Sequence, residues 1–170
     1  MPLGICGLKE VYIMEKIDRR VKGVDLFKLG YNCAQAVIFA FDDVLPIDRE
    51  NLLKITGAFG GGFARTRNLC GTVTGMGMVL GLLHKDGDDV EENKKHLYGE
   101  VRKLTDKFVE KNGFLNCGDL LKNIKGITDG YVPDKRTEEY YKVRPCVKFV
   151  YEAIEILEEY IRENGLADLD

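Results

Sequence analysis

Cys70-Gly71-Thr72-Val73-Thr74-Gly75-Met76-Gly77-Met78-Val79-Leu80-Gly81-Leu82-Leu83 is the most apolar stretch of the chain, and glycine recurs through it. It reads as a buried helix, too short to cross a membrane. Each interior glycine costs ~1 kcal/mol against alanine, so the helix needs a neighbour close enough to compensate. Gly71 with Gly75, and Gly77 with Gly81, form two Gly-x-x-x-Gly pairs that open two faces to close approach, by another backbone or by a flat ligand. Met76 and Met78 read as core filler.

Upstream lies Gly57-Ala58-Phe59-Gly60-Gly61-Gly62-Phe63, too glycine-dense for a helix, leading to Arg65 and Arg67. The run reads as a loop. Farther out, the long segments carry helical periodicity. Residues 8–21 place Leu8, Val11, Tyr12, Met14, Ile17 and Val21 on one face, with Gly23 as the break. A second helix is expected over 33–44 with Pro46 as terminator, and a third after Asp48 as its cap. Residues 91–112 form a charged helix with a narrow apolar stripe (Leu97, Val101, Leu104, Phe108, Val109), ended by Gly113. A short helix opens at Asn116-Cys117, residues 126–136 read as a mobile polar loop, and a last helix starts at Pro145. No β alternation, repeat or low-complexity segment occurs. The fold class is therefore all-α: a compact single-domain bundle over 1–170, with an N-terminal helix (1–25), a core (26–160) and a polar tail (161–170).

A length of 170 residues suits one domain with its own core. The net charge of −3, with lysines and glutamates interspersed, lacks the basic patch that a nucleic-acid backbone demands. No secretory signal pattern is seen at the start, and no apolar run is long enough for membrane insertion, so the expected location is cytoplasmic. The apolar helical stripes would allow a homo-oligomer.

In a reducing compartment the five cysteines read as free thiols, metal ligands or cycling redox groups. Cys33, Cys70, Cys117 and Cys146 each follow a helix-starting signal: Asn32, Asn68, Asn116 and Pro145. A helix N-terminus carries partial positive charge and lowers a cysteine pKa, so this placement favours thiolates. Cys6 lacks such a signal and is set aside. Inert core thiols are the bland alternative, because cysteine is often buried as a small hydrophobe. No Cys-x-x-Cys occurs, which excludes a thioredoxin-like centre and covalent haem, and the spacings are too long for zinc knuckles. A shared site must be assembled in three dimensions from converging helix ends. His84 and His96 read as solvent-side residues, with noncovalent haem ligation the less favoured option. Gly60, Gly61 and Gly62 with Arg65 and Arg67, leading into the Gly71/Gly75 helix, offer a cradle for an anion such as a cofactor's phosphate or carboxylate, although a tight interhelical turn explains them equally well.

Cys70-Gly71-Thr72-Val73-Thr74-Gly75 resembles the Cys-Gly-Ala-x-x-Gly signature of the redox-active C_GCAxxG_C_C family, with Thr72 adding a hydroxyl where the signature has alanine. The resemblance extends through Gly30-Tyr31-Asn32-Cys33-Ala34-Gln35-Ala36-Val37, the Gly60-Gly61-Gly62 run, Cys117-Gly118-Asp119-Leu120 and Cys146. It implies a redox role for the four cysteines, as a thiol-dependent oxidoreductase or an electron carrier, with a protein or small-molecule redox partner. The same four could act by thiol–disulfide exchange or hold zinc or an iron–sulfur cluster. Cys33 and Cys70 would be the attacking and resolving pair, with Cys117 and Cys146 as the second pair or remaining ligands. The rival reading is a non-enzymatic module in which the thiols hold a metal and the acidic helices contact a partner protein.

Overall fold

The computed structural model describes residues 18–170, and over these the chain is an all-α fold. The helices are α1 (Arg19–Lys28), α2 (Cys33–Phe39), α3 (Arg49–Ile55), α4 (Gly71–Leu83), α5 (Val90–Asn112), α6 (Cys117–Leu121), α7 (Glu138–Val143) and α8 (Cys146–Asn164). The expected helix over 8–21 and Cys6 lie outside the described residues, apart from the helix's last turn. One isolated antiparallel bridge, Leu69 to Asn116, is the sole β pairing among the described residues.

Helix α2 is the spine. Every residue from Ala34 to Phe39 is buried, as a helix enclosed on all sides requires. It packs against α1, α4 and α8, with α5 closing over α4 and α8 from outside. Leu104 and Phe108 carry the apolar stripe of α5 inward, where Phe108 meets Phe149 edge-on at 6.0 Å. Lys107–Glu159 and Lys111–Glu155 pairs, at 3.1 and 3.0 Å, align its rim with α8.

Only one of the two Gly-x-x-x-Gly pairs is used for close approach, and the neighbour is a backbone. A Cβ on Gly71 would lie 2.6 Å from the Phe59 carbonyl oxygen and 2.9 Å from Cys33 Cβ; on Gly75 it would lie 2.9 Å from Val37 Cβ. Gly77 faces Val101 at 3.8 Å, and Gly81 meets nothing within 4 Å.

Gly23 does not break a helix as expected. It sits inside α1 where a Cβ would come within 2.0 Å of Ile154 Cδ1, so glycine there lets α1 lie on α8. Helix α2 ends at Phe39, short of residue 44, because the chain turns to satisfy charges. Arg19 donates to the Ala40 carbonyl at 2.9 Å and pairs with Asp43, while Lys22 and Arg49 hold Asp42. The segment over 126–136 is not left free. Asp134 pairs with Arg65 and Arg144, and Arg136 donates to the Phe27 carbonyl at 3.2 Å. Helix α7 escaped the sequence reading, although Thr137 caps it by accepting from Tyr140 N–H and two glutamates occupy its first turn.

Candidate functional site

Four loops and helix starts deliver the four cysteines to one place. Asn32 and Gln35 form a capping box that fixes the start of α2, and Asn32 Nδ2 donates to the Thr56 and Gly57 carbonyls, so Cys33 is set as the first helical residue. Cys146 is the first helical residue of α8 behind Pro145. Cys70 occupies the cap position of α4 itself, with its N–H on the Leu115 carbonyl at 2.9 Å. Cys117 opens α6 with its N–H on the Asn68 carbonyl at 2.7 Å. The expectation that all four thiols stand at helix starts agrees with these positions. The caps differ in detail: Asn68 does not cap α4, and the Asn116 side chain makes no capping bond.

Together the four line one cavity with Gly62, Gly71 and Thr72. It has room for water-sized centres over only about 10 Å³. Cys146 is the neighbour that most strongly affects the Cys33 thiol, and Cys70 Sγ lies 3.1 Å from the Thr72 hydroxyl. Arg67 Nη1 donates to Cys117 Sγ at 3.8 Å. Gly62 is needed beside this cavity because a Cβ there would strike the Asn68 backbone at 2.5 Å.

The lowered pKa expected of helix-start thiols is reversed at Cys33, Cys70 and Cys117. The Cys33 pKa is pushed well up, first by its hydrogen bond with Cys146 and then by burial. Burial raises Cys70 to about 12, with the neighbouring Cys33 adding to it. Cys117 is also raised by burial, against a lowering pull from Arg67. Burial and like neighbours therefore outweigh the field of helix ends, and α2 and α6 are only seven and five residues long.

These raised values set the sign of an alkaline effect. The folded protein keeps protons on Cys33, Cys70 and Cys117 that the unfolded chain releases above its ordinary pKa of about 8.5. Their contribution is thus fully present below that pH and lost as pH rises, at about 1.4 kcal/mol per pH unit for each thiol. Urea midpoints of the reduced protein should fall between roughly pH 9 and 11, and Cys70→Ala should fall less steeply by about that amount per unit. Parallel slopes would show that Cys70 is not protected.

The glycine run is a left-handed turn. Gly61, Gly62, Phe63, Ala64 and Arg65 have φ of 63, 71, 66, 48 and 64°, and Arg67 follows at 62°. A non-glycine residue in this region costs about 1–2 kcal/mol. Ala64 is exposed, so Ala64→Gly should raise stability by about 1 kcal/mol in urea titrations; unchanged stability would mean that the turn is relaxed. Gly60 packs on Asn32, where a Cβ would lie 2.9 Å from Asn32 Cβ. Arg65 directs Nη1 to Asp134 at 3.0 Å and Nε and Nη2 to the Gly130 and Thr128 carbonyls at 2.8 Å each. The five candidate glycines and Arg65 thus all have structural partners: Gly60, Gly61 and Gly62 in the turn, and Gly71 and Gly75 against α2.

Residues with no signal in the sequence complete the surroundings. Tyr140 lies between the Arg136 and Arg144 guanidinium groups, 4.9 and 4.5 Å from its ring centre. Burial pushes its hydroxyl to about 12, and the Cys33 and Cys146 thiols contribute. His84 is not on the solvent side as expected. Its side chain is 10% exposed, its ring stacks on His96 at 5.2 Å, and Nε2 lies 3.6 Å from Asp86. This pair stands at the other end of α4 from the thiols. No helix among the described residues is long and apolar enough to cross a membrane.

Comparison with known proteins agrees with the cysteine geometry. The chain is 28% identical over 150 residues to an uncharacterized protein of Archaeoglobus fulgidus, covering 84% of this chain and 91% of that protein. No solved structure matches. The family model described as "Putative redox-active protein (C_GCAxxG_C_C)" matches residues 31–160, a span that takes in all four cavity cysteines. By that match the chain belongs to the C_GCAxxG_C_C family of redox-active proteins.

Proposed function

We propose that the protein is a thiol–disulfide redox protein whose exchanging pair is Cys33 and Cys146, with Cys70 and Cys117 as the second pair of the same cavity. The observation that carries this is the convergence of Cys33 and Cys146, the first residues of α2 and α8, in one cavity, where Cys146 is the largest cause of the raised Cys33 pKa. A disulfide forms between sulfurs that side-chain rotation can bring together, and Cys146 acts on Cys33 more strongly than any other group does, whereas for Cys70 the Cys33 thiol comes second to burial.

Zinc and iron–sulfur chemistry was the other expectation for these residues. Among the described residues no three His, Cys, Asp or Glu side chains are grouped so as to hold a metal ion. As the four cysteines stand, the cavity leaves room for about one water between them. Both observations favour dithiol chemistry. Free thiols also suit a reducing compartment such as the cytoplasm.

The reaction balances as two cysteine thiols plus an external disulfide giving the Cys33–Cys146 bond and two external thiols, a two-electron exchange. The test is thiol counting before and after mild oxidation, with peptide mapping. The reduced protein should show five thiols from its five cysteines, lose two reversibly, and yield a Cys33–Cys146 linked peptide. Retention of all thiols together with stoichiometric bound metal would support the metal-holding module instead.

A further inference from the structure

Arg67 is placed at some expense. Its φ of 62° lies in the left-handed region, which costs a side-chain-bearing residue about 1–2 kcal/mol. Both of its backbone groups are pinned: N–H on the Gly61 carbonyl at 3.1 Å, and its carbonyl accepting from Gly118 N–H at 2.9 Å. The result is a guanidinium fixed over the first turn of α6, anchored by Nη2 on the Thr128 carbonyl at 3.0 Å and by Nη1 on Cys117 Sγ at 3.8 Å. The remaining donor, Nε–H, is buried and has no acceptor. Leaving such a group unpaired costs about 1–3 kcal/mol, so the guanidinium is held against Cys117 through Nη1 at a cost in both backbone and side chain. A thiol accepts weakly, while a thiolate accepts several charge-assisted hydrogen bonds.

The geometry points to Cys117 as the thiol that opens exchange with an external small-molecule disulfide, held for attack by Arg67 as a positioning residue. This rests on the thiol–disulfide reading above and adds the order of events. Among the hydrogen bonds of the four thiols, Cys117 alone meets a cationic donor, while Cys70 meets the neutral Thr72 hydroxyl. Arg67 also pulls the Cys117 pKa down against burial, and no such side-chain cation contacts the Cys70 sulfur.

The steps balance. Cys117 thiolate attacks one sulfur of RS–SR, forming Cys117–S–SR and releasing RS⁻. Cys33, yielding its proton to solvent, attacks Cys117 Sγ, forming the Cys33–Cys117 disulfide and releasing the second RS⁻. Cys146, likewise deprotonated, then attacks Cys33 Sγ, leaving the Cys33–Cys146 disulfide and returning Cys117 as thiolate. Two protons go to the two RS⁻ groups, and two electrons pass from the protein to the disulfide.

Reduced protein is mixed with oxidised glutathione, quenched in acid at successive times, and digested for mass mapping. Glutathione should appear first on Cys117, and in Cys33→Ala, where the second step is blocked, it should accumulate there. Arg67→Gln should slow its appearance severalfold, because Arg67 lowers the Cys117 pKa and lost thiolate is only partly offset by higher nucleophilicity, and Arg67→Lys should recover most of the rate by restoring the charge. First appearance on Cys70 or Cys146, or an unchanged rate in Arg67→Gln, overturns the assignment. The wild-type time course carries the same mapping should Cys33→Ala lose helicity. The end point separates the two readings: a missing Cys33–Cys146 peptide is a failure of the exchanging pair, and its presence with glutathione first elsewhere is a failure of the Cys117 entry step alone.

Discussion

Gly71→Ala is expected to destabilise the fold by about 3 kcal/mol, the upper range for forcing one carbon into a packed interior, whereas Gly81→Ala ten residues along the same helix should stabilise it by about 1 kcal/mol. The difference follows from what each new methyl would meet. At Gly71 it would press on the Phe59 carbonyl oxygen at 2.6 Å and on Cys33 Cβ at 2.9 Å, and neither can swing away. Backbone must move, and with it the first residue of α2 that carries a cavity thiol. At Gly81 the methyl would find open space and restrict only the unfolded chain. Urea denaturation followed by circular dichroism reads both values. Equal effects at the two positions would mean that α2 and α4 are not in backbone contact. Gly71→Ala should also perturb the Cys33–Cys146 contact, so loss of disulfide yield in a variant that still folds would tie this packing to the site.

That contrast also marks how far the sequence could be read. Four glycines in one apolar helix signal that a backbone lies against it, and α2 is that backbone. Nothing in the spacing tells Gly71 and Gly75 from Gly77 and Gly81, because the choice depends on where α2 crosses, which is a tertiary fact. Gly23 misleads for the same reason. Local propensity marks it as a breaker, but the Ile154 methyl contact makes it a packing glycine. The cap residues Asn32 and Asp48 were legible because a cap acts within four residues of itself.

The site divides along the same line. The placement of the four cysteines at helix starts is local and readable; their ionisation is not, since it depends on burial and on which sulfur touches which. Arg67 meets Cys117, and Tyr140, Arg136 and Arg144 stand near enough to the thiols to act on them electrostatically, from a strained turn, a loop and a six-residue helix far apart in the chain. Charge on a loop carries no address. Arg65 shows the cost of guessing one: its side chain answers to Asp134 across 69 residues.

Cys146→Ala should abolish the reversible loss of two thiols, while Cys70→Ala should leave it in place. A disulfide needs both sulfurs within rotation of a bond about 2 Å long, and Cys146 is the group that acts most strongly on the Cys33 thiol. Cys70 is instead directed to Thr72 at 3.1 Å. Removing Cys146 has a second consequence of opposite sign. The hydrogen bond with Cys146 is the largest cause of the raised Cys33 pKa, so its loss lowers that pKa and enlarges the thiolate fraction at neutral pH. Alkylation of Cys33 by iodoacetamide should therefore quicken in Cys146→Ala even though disulfide formation stops. A merely disordered cavity would quicken labelling at every thiol, whereas this mechanism quickens Cys33 and leaves Cys70 slow. Slower or unchanged labelling of Cys33, or a two-thiol loss that survives in Cys146→Ala and disappears in Cys70→Ala, would return Cys33 and Cys70 as the exchanging pair.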